Sequence, residues 1–224
     1  MREIVLDTET TGLDPNDGHR IVEIGCVELV NHMPTGRTFH RHVNPERDMP
    51  EDAYAVHGLS AEFLASHPPF AAHVDEFLDF IGDGTLIIHN AEFDLRFLNA
   101  ELRRLGKEPL RCAVEDTLAL ARRRFPGAQA SLDALCRRFA IDLSARTKHG
   151  ALLDCELLAA VYLELIGGRQ PGLDFVDVGA LADGTVAITR PIRPARPHAA
   201  SAEELAAHAA MLLLLKQPIW LAEA

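Results

Sequence analysis

At 224 residues and 48% hydrophobic, the chain can bury one sizeable core and leaves room for a small second element. Its formal net charge of −11 argues against an autonomous nucleic-acid binder, because phosphate binding ordinarily rests on a clustered excess of Lys and Arg. No signal-peptide pattern precedes Ile4-Val5-Leu6, and the longest apolar run, Met211 to Leu215, stops at Lys216, far short of the ~20 residues that span a bilayer, so a soluble, cytoplasmic protein is expected.

In chain order, strands are predicted over Glu3–Asp7, Ile21–Val30, Arg37–Val43, Thr85–His89 and Arg111–Val114, from Val- and Ile-rich runs bounded by turn residues. Helical periodicity falls in Phe70–Ile81, Ala91–Leu105, Thr117–Arg124, Ser131–Phe139 and Ala151–Ile166, the last carrying a stripe of Leu153, Leu157, Val161 and Leu165. Strands alternating with helices predict an α/β layer structure for residues 1–168. Cys26, Cys112, Cys136 and Cys155 are widely spaced without a C-x-x-C pair and read as free thiols.

Composition shifts after Gly167-Gly168 to small residues and the Pro-rich stretch of residues 190–197, which predicts a linker over residues 169–200. A disordered linker of that length would hold its ends on the order of 25–30 Å apart. Ser201 and Glu204 then fit a capping box opening a short helix with Leu205, Met211, Leu212 and Leu215, followed by the apolar cluster Ile219-Trp220-Leu221. That C-terminal segment, residues 201–224, cannot bury its apolar side chains without a partner or a fold-back across the linker.

Three strings carry chemistry. At the end of the first strand, Asp7 and Glu9 lie two residues apart and point to one side, a costly pairing unless a cation joins them. The run Leu86-Ile87-Ile88-His89-Asn90 leads into a helix with Asp94 in its first turn, and His149 sits in the loop before a helix that carries Asp154. Each string alone admits a plainer reading: Asp7 or Glu9 capping backbone amides, Asp94 at the positive end of a helix, His149 as a solvated loop residue. Together, four carboxylates and a His that titrates near neutrality are the components of a two-metal phosphodiesterase. Asp7, Glu9, Asp94 and Asp154 would hold two Mg²⁺ or Mn²⁺ ions roughly 3.5–4 Å apart, with His149 as general base.

The motifs Asp7-x-Glu9, His89-Asn-Ala-x-Phe-Asp94 and His149-x4-Asp154 occur in the order and approximate spacing of the DEDD exonuclease family, and His149 resembles that family's His subtype. The stretches Glu23-Ile-Gly25, Val56-His-Gly58, Phe125-Pro-Gly127, Ser131-Leu-Asp-Ala-Leu-Cys136 and His149-Gly-Ala-Leu-Leu-Asp154 further resemble its branch of proofreading subunits of bacterial replicative polymerases. The resemblance implies a ribonuclease H-like fold with a central mixed β-sheet flanked by helices, and release of nucleoside 5′-monophosphates from DNA 3′ ends. It implies Thr10, Thr11 and Gly12 beside the terminal nucleotide, with His57 and Phe93 near its sugar and base. Gln170, Leu173 and Phe175 resemble the Gln-x-x-Leu-x-Phe peptide that docks on the sliding clamp, and the C-terminal segment implies docking on the polymerase's catalytic (alpha) subunit. Two such tethers would bring an acidic nuclease to DNA without a basic surface, and leave room for a small accessory subunit. RNA-directed members of the family share the chemistry, and a non-catalytic scaffold could share the fold.

Overall fold

The computed structural model describes residues 1–144, 146, 148–168 and 199–215, so the clamp-like peptide at 170–175 and the Trp220 cluster lie outside the described residues. The chain divides into two compact units, Met1–Asp174 and Phe175–Ala224. The first is built on five strands, β1 (Arg2–Thr10), β2 (Ile21–Val30), β3 (Met33–His42), β4 (Thr85–Ile88) and β5 (Val114–Asp116), in the order β3-β2-β1-β4-β5. The β1–β2 and β2–β3 pairs are antiparallel, whereas β1–β4 and β4–β5 are parallel, so the sheet is mixed.

Ile4, Val5 and Leu6 are a continuous apolar run because β1 is central and covered on both faces. On one face Ile4 and Leu6 pack with Phe77 of α3 (Val74–Ile81) and Phe97 and Leu98 of α4 (Ala91–Arg104). On the other, Val5 and Ile87 pack with Cys155, Leu158 and Tyr162 of α7 (Ala151–Leu165). The stripe read from sequence, with Leu157, Val161 and Leu165, faces α5 (Thr117–Arg124) and α6 (Leu132–Arg138) instead. Helix α7 therefore carries two apolar faces, one for the sheet and one for its neighbouring helices.

Gly25 permits the closest approach in the unit. A Cβ there would stand 2.4 Å from the Ala151 carbonyl carbon and 2.6 Å from the Leu152 nitrogen, both backbone atoms that cannot swing aside. The first turn of α7 thus lies directly on β2.

Several elements differ from the sequence reading. Strand β1 continues to Thr10, so Asp7 and Glu9 lie inside the ladder opposite Gly25 and Glu23 rather than on the turn after it. Strand β5 starts at Val114, not Arg111, and ends at Asp116, whose carboxylate accepts from the Leu118 and Ala119 amides and so converts the strand end into the cap of α5. Strand β3 begins at Met33 rather than Arg37, continuing directly from a tight turn at Asn31-His32, both with positive φ. The short helices α1 (Glu51–His57) and α2 (Ala61–Ala65) have too few buried positions to show periodicity, and each buries one residue, His57 and Leu64. All four cysteines are free thiols, and no helix among the described residues is long and apolar enough to cross a membrane.

In the second unit, Ser201 and Glu204 form the reciprocal capping box of α8 (Ala202–Leu212), which stops before Leu215. None of its residues is buried, and Leu205, Met211, Leu213 and Leu214 are exposed.

Candidate active site

Two helices bring acids to the C-terminal end of β1 from opposite faces of the sheet. Strand alternation places Asp7 and Glu9 on the α7 side. From α4, Asp94 reaches Thr8, whose backbone N–H and hydroxyl both donate to Asp94 Oδ1, at 3.0 and 2.7 Å. One carboxylate oxygen is thereby fixed, and the other is left for a ligand. Asn90, in the left-handed conformation that Asn tolerates, opens α4 with its N–H donated to Asp116, while His89 Nδ1 meets the Thr117 hydroxyl at 2.9 Å.

Helix α7 supplies the rest. Its N-cap is Gly150, which has no capping side chain, and Glu23 of β2 takes that part by accepting from the Ala151 N–H at 3.1 Å. The preceding loop is tied to α1 by the His149 N–H donated to the Val56 carbonyl. His149 Nδ1 then lies 3.3 Å from Asp154 Oδ2, so the loop folds back over the first turn as the motif spacing requires. Ligand atoms of Glu9, His149 and Asp154 lie within 4.8 Å of one another.

The cluster carries more negative charge than its surroundings neutralise. Loss of water, followed by the charges of Asp94, Glu9 and Asp154, pushes the Asp7 carboxyl well above the usual carboxylate range. Burial lifts Glu9 to about 8 against the opposing pull of His149, and lifts Asp94 to about 7 against the two Thr8 hydrogen bonds. Asp154 behaves oppositely: burial raises it, but hydrogen bonds from Arg146 and His149 outweigh that and hold it below its ordinary value. The Asp154 hydrogen bond in turn raises His149.

Arg146 was not singled out in the sequence. Its Nε and Nη2 donate to the two Asp154 oxygens, both at 2.6 Å, its Nη1 donates to Asp133, and its side chain is only 8% exposed. A bidentate guanidinium here does the work of a cation on one carboxylate and leaves Asp7, Glu9 and Asp94 without one. The donor set, all carboxylate oxygens with one imidazole beside them, fits a hard divalent ion.

Beside the acids opens a cleft of about 530 Å³, lined among others by Glu9, Thr10, Thr11, Gly12, His57 and Phe93. All five residues expected near a terminal nucleotide therefore share one wall system with Glu9. His57 Nδ1 accepts from the Leu59 N–H at 3.0 Å, so its buried Nε2 carries the proton and is turned toward the Thr10 backbone. Also in the cleft, and not foreseen, is His19, which accepts or donates at 3.1 Å with the Thr11 hydroxyl. A Cβ on Gly12 would strike the His19 ring at 2.3 Å.

Residues 4–162 match the family described as Exonuclease. The chain is 57% identical over 181 residues to the DNA polymerase III subunit epsilon of Rickettsia felis, covering 79% of each chain. It is also 46% identical over 229 residues to that of Escherichia coli K12, covering 96% of this chain and 94% of the relative. The chain belongs to the exonuclease family, among the DNA polymerase III epsilon subunits. Solved structures agree on the fold: the nuclease domain of 3′hExo, a DEDDh family member bound to rAMP, superposes with TM-score 0.63 at 18% identity, covering 74% of this chain and 91% of that one. Exonuclease X in complex with 5′ overhanging duplex DNA gives TM-score 0.58 at 25% identity, covering 73% and 90%. As a member of this exonuclease family the protein is a nuclease that depends on divalent metal.

The electrostatics give a test of metal linkage. Between the ordinary carboxylate range and about pH 8, the ion-free fold binds more protons than the unfolded chain, at Glu9 and Asp94, so stability falls as pH rises through that window. His149, raised by Asp154, loses its contribution in the same direction, whereas Asp154, lowered, acts only at more acid pH. His42, His57, His73 and His89 are held below the ordinary imidazole value and oppose this trend at more acid pH, so the comparison is made where they are neutral in both states. The chelator-treated protein is expected to melt lower at about pH 8.5 than at about pH 7, and the gain on adding Mg²⁺ is expected to grow with pH. A Mg²⁺ shift in Tm that is the same at both pH values would contradict this linkage.

Proposed function

We propose that the protein is the 3′→5′ proofreading exonuclease of a bacterial DNA polymerase III, removing mismatched 3′-terminal deoxynucleotides as 5′-monophosphates. The observation that carries this reading is the meeting of Asp7, Glu9, Asp94, Asp154 and His149 at one strand end, beside a cleft lined by Thr10, Thr11, Gly12, His57 and Phe93. Two Mg²⁺ or Mn²⁺ ions held by the four carboxylates would polarise the attacking water and neutralise charge developing on the scissile phosphate. His149 Nε2, the ring nitrogen turned away from Asp154, takes the proton of that water once Nδ1, which accepts from Arg146 Nη2 at 2.8 Å without metal, is released to carry a proton of its own, as the water oxygen attacks phosphorus and the 3′-oxygen of the remaining strand departs. Thr10, Thr11 and Gly12 position the terminal nucleotide, the His57 Nε2–H donates to it, and Phe93 contacts its base or sugar.

Reach to DNA is supplied by tethering in this reading. Gln170, Leu173 and Phe175 dock on the sliding clamp, and residues 201–224 dock on the polymerase catalytic (alpha) subunit, which suits the uncovered apolar side chains of α8. The protein acts in the cytoplasm, where the replicative polymerase works. The test is hydrolysis of a 3′-mismatched DNA primer and a sequence-matched RNA by the full chain, with Mg²⁺ and with chelator. Mg²⁺-dependent release of deoxynucleoside 5′-monophosphates in preference to ribonucleotides is expected. Preference for RNA would move the protein to the RNA-directed side of the family, and inactivity on both would leave a scaffold.

A further inference from the structure

A second cluster of ligating groups stands one strand away from the acids. The β1–β2 register pairs Glu9 with Glu23, and the β2–β3 register pairs Glu23 with His42 and Gly25 with His40. These side chains share a sheet face, and at about 4.8 Å per strand His42 sits roughly two strand spacings from Glu9. His40 Nε2 lies 2.6 Å and His42 Nε2 3.5 Å from the same oxygen, Glu23 Oε1, and the three ligand atoms lie within 4.8 Å of one another.

We propose that Glu23, His40 and His42 form a second metal site, separate from the acidic cluster and selective for Zn²⁺ or a similar borderline transition-metal ion. Two imidazoles with one carboxylate suit such an ion, whereas the carboxylate-rich cluster around Asp7 suits a hard one. Glu23 is 5% exposed and is preset for monodentate ligation, because its other oxygen is held by the Ala151 N–H at 3.1 Å. Without a cation, Oε1 satisfies both rings only if each carries its proton on Nε2.

Tetrahedral zinc with bonds of about 2.0–2.1 Å sets its ligand atoms about 3.3 Å apart. The His42 distance already matches, and His40, 34% exposed at its side chain, has room to withdraw by under about 1 Å. Three protein ligands leave the one remaining tetrahedral position to water, which the part-exposed His40 and His42 allow to enter. An ion here would anchor Glu23 and, through its bond to the Ala151 N–H, the first turn of α7, which carries Asp154 and follows His149.

The test is Zn²⁺ binding to the full chain with Mg²⁺ in excess, followed by calorimetry and by the imidazole NMR resonances of His40 and His42 in the wild-type protein. Both resonances are expected to shift with the first equivalent of Zn²⁺. Asp154→Asn, which disables the neighbouring Glu9–His149–Asp154 cluster, should keep that binding, and His40→Gln and His42→Gln should each weaken it by about tenfold or more. Unshifted His40 and His42 resonances would overturn the assignment, as would Zn²⁺ affinity that follows Asp154→Asn and ignores both His substitutions.

Discussion

Asp7→Ala is expected to lower the rate of DNA hydrolysis by about 10³-fold or more, while leaving the ion-free protein no less stable than wild type near pH 8. The two halves of this result have one origin. Asp7 is held far above the ordinary carboxylate range by loss of water and by Asp94, Glu9 and Asp154, so in the ion-free fold its charge costs stability. Removing it relieves that repulsion. A ligand lost from a divalent site, at a few kcal/mol of transition-state stabilisation, gives the rate effect, since each 1.36 kcal/mol is tenfold. The pairing of lost activity with retained stability separates this role from a structural one. Asp154→Ala should lose hydrolysis comparably but melt lower, because it strands the buried Arg146 guanidinium with Asp133 as its remaining carboxylate partner. Near-wild-type hydrolysis by either variant, measured on a 3′-mismatched primer at saturating Mg²⁺, would remove the residue from the metal-holding set.

Much of this site is legible along the chain because its acids follow local rules. Asp7 and Glu9 share a side through strand alternation, Asp94 enters on the first turn of a helix after an apolar strand, and Asp154 lies in the first turn after the loop that carries His149. What escapes such reading is what depends on partners distant in sequence. Glu23 caps α7 across 128 positions, and no periodicity announces that a strand carboxylate will serve a helix whose own N-cap is glycine. Arg146 looks like one more loop cation until the fold turns it onto Asp154. The stripe of Leu153, Leu157, Val161 and Leu165 does pack, but the second apolar face of α7 goes unread because a helix buried against both a sheet and two other helices shows little amphipathic contrast. His40 and His42 alternate along a strand beside Arg41, so in sequence they resemble a solvated edge. Only the β2–β3 register aims both rings at one carboxylate.

His149→Ala is expected to reduce kcat/KM by about 10²–10⁴ at neutral pH and to flatten the acid limb of the pH–rate profile. In the ion-free site His149 is raised by its hydrogen bond to Asp154, with burial and the Arg146 charge opposing. The base must be neutral to accept the proton of water, so wild-type activity rises with pH as His149 loses its own proton. Glu9 and Asp94 also titrate near neutrality without metal, which would imprint a similar limb through metal binding. Saturating divalent ion removes that ambiguity, because a carboxylate committed to a cation stays ionised across the range, and the limb that remains belongs to His149. Engaging Asp154 with the cation also weakens the interaction that raises His149, so this limb should move to lower pH as metal concentration increases. An acid limb that persists unchanged in His149→Ala at saturating Mg²⁺ would assign the proton to another group and leave His149 only a structural neighbour of Asp154 and Arg146.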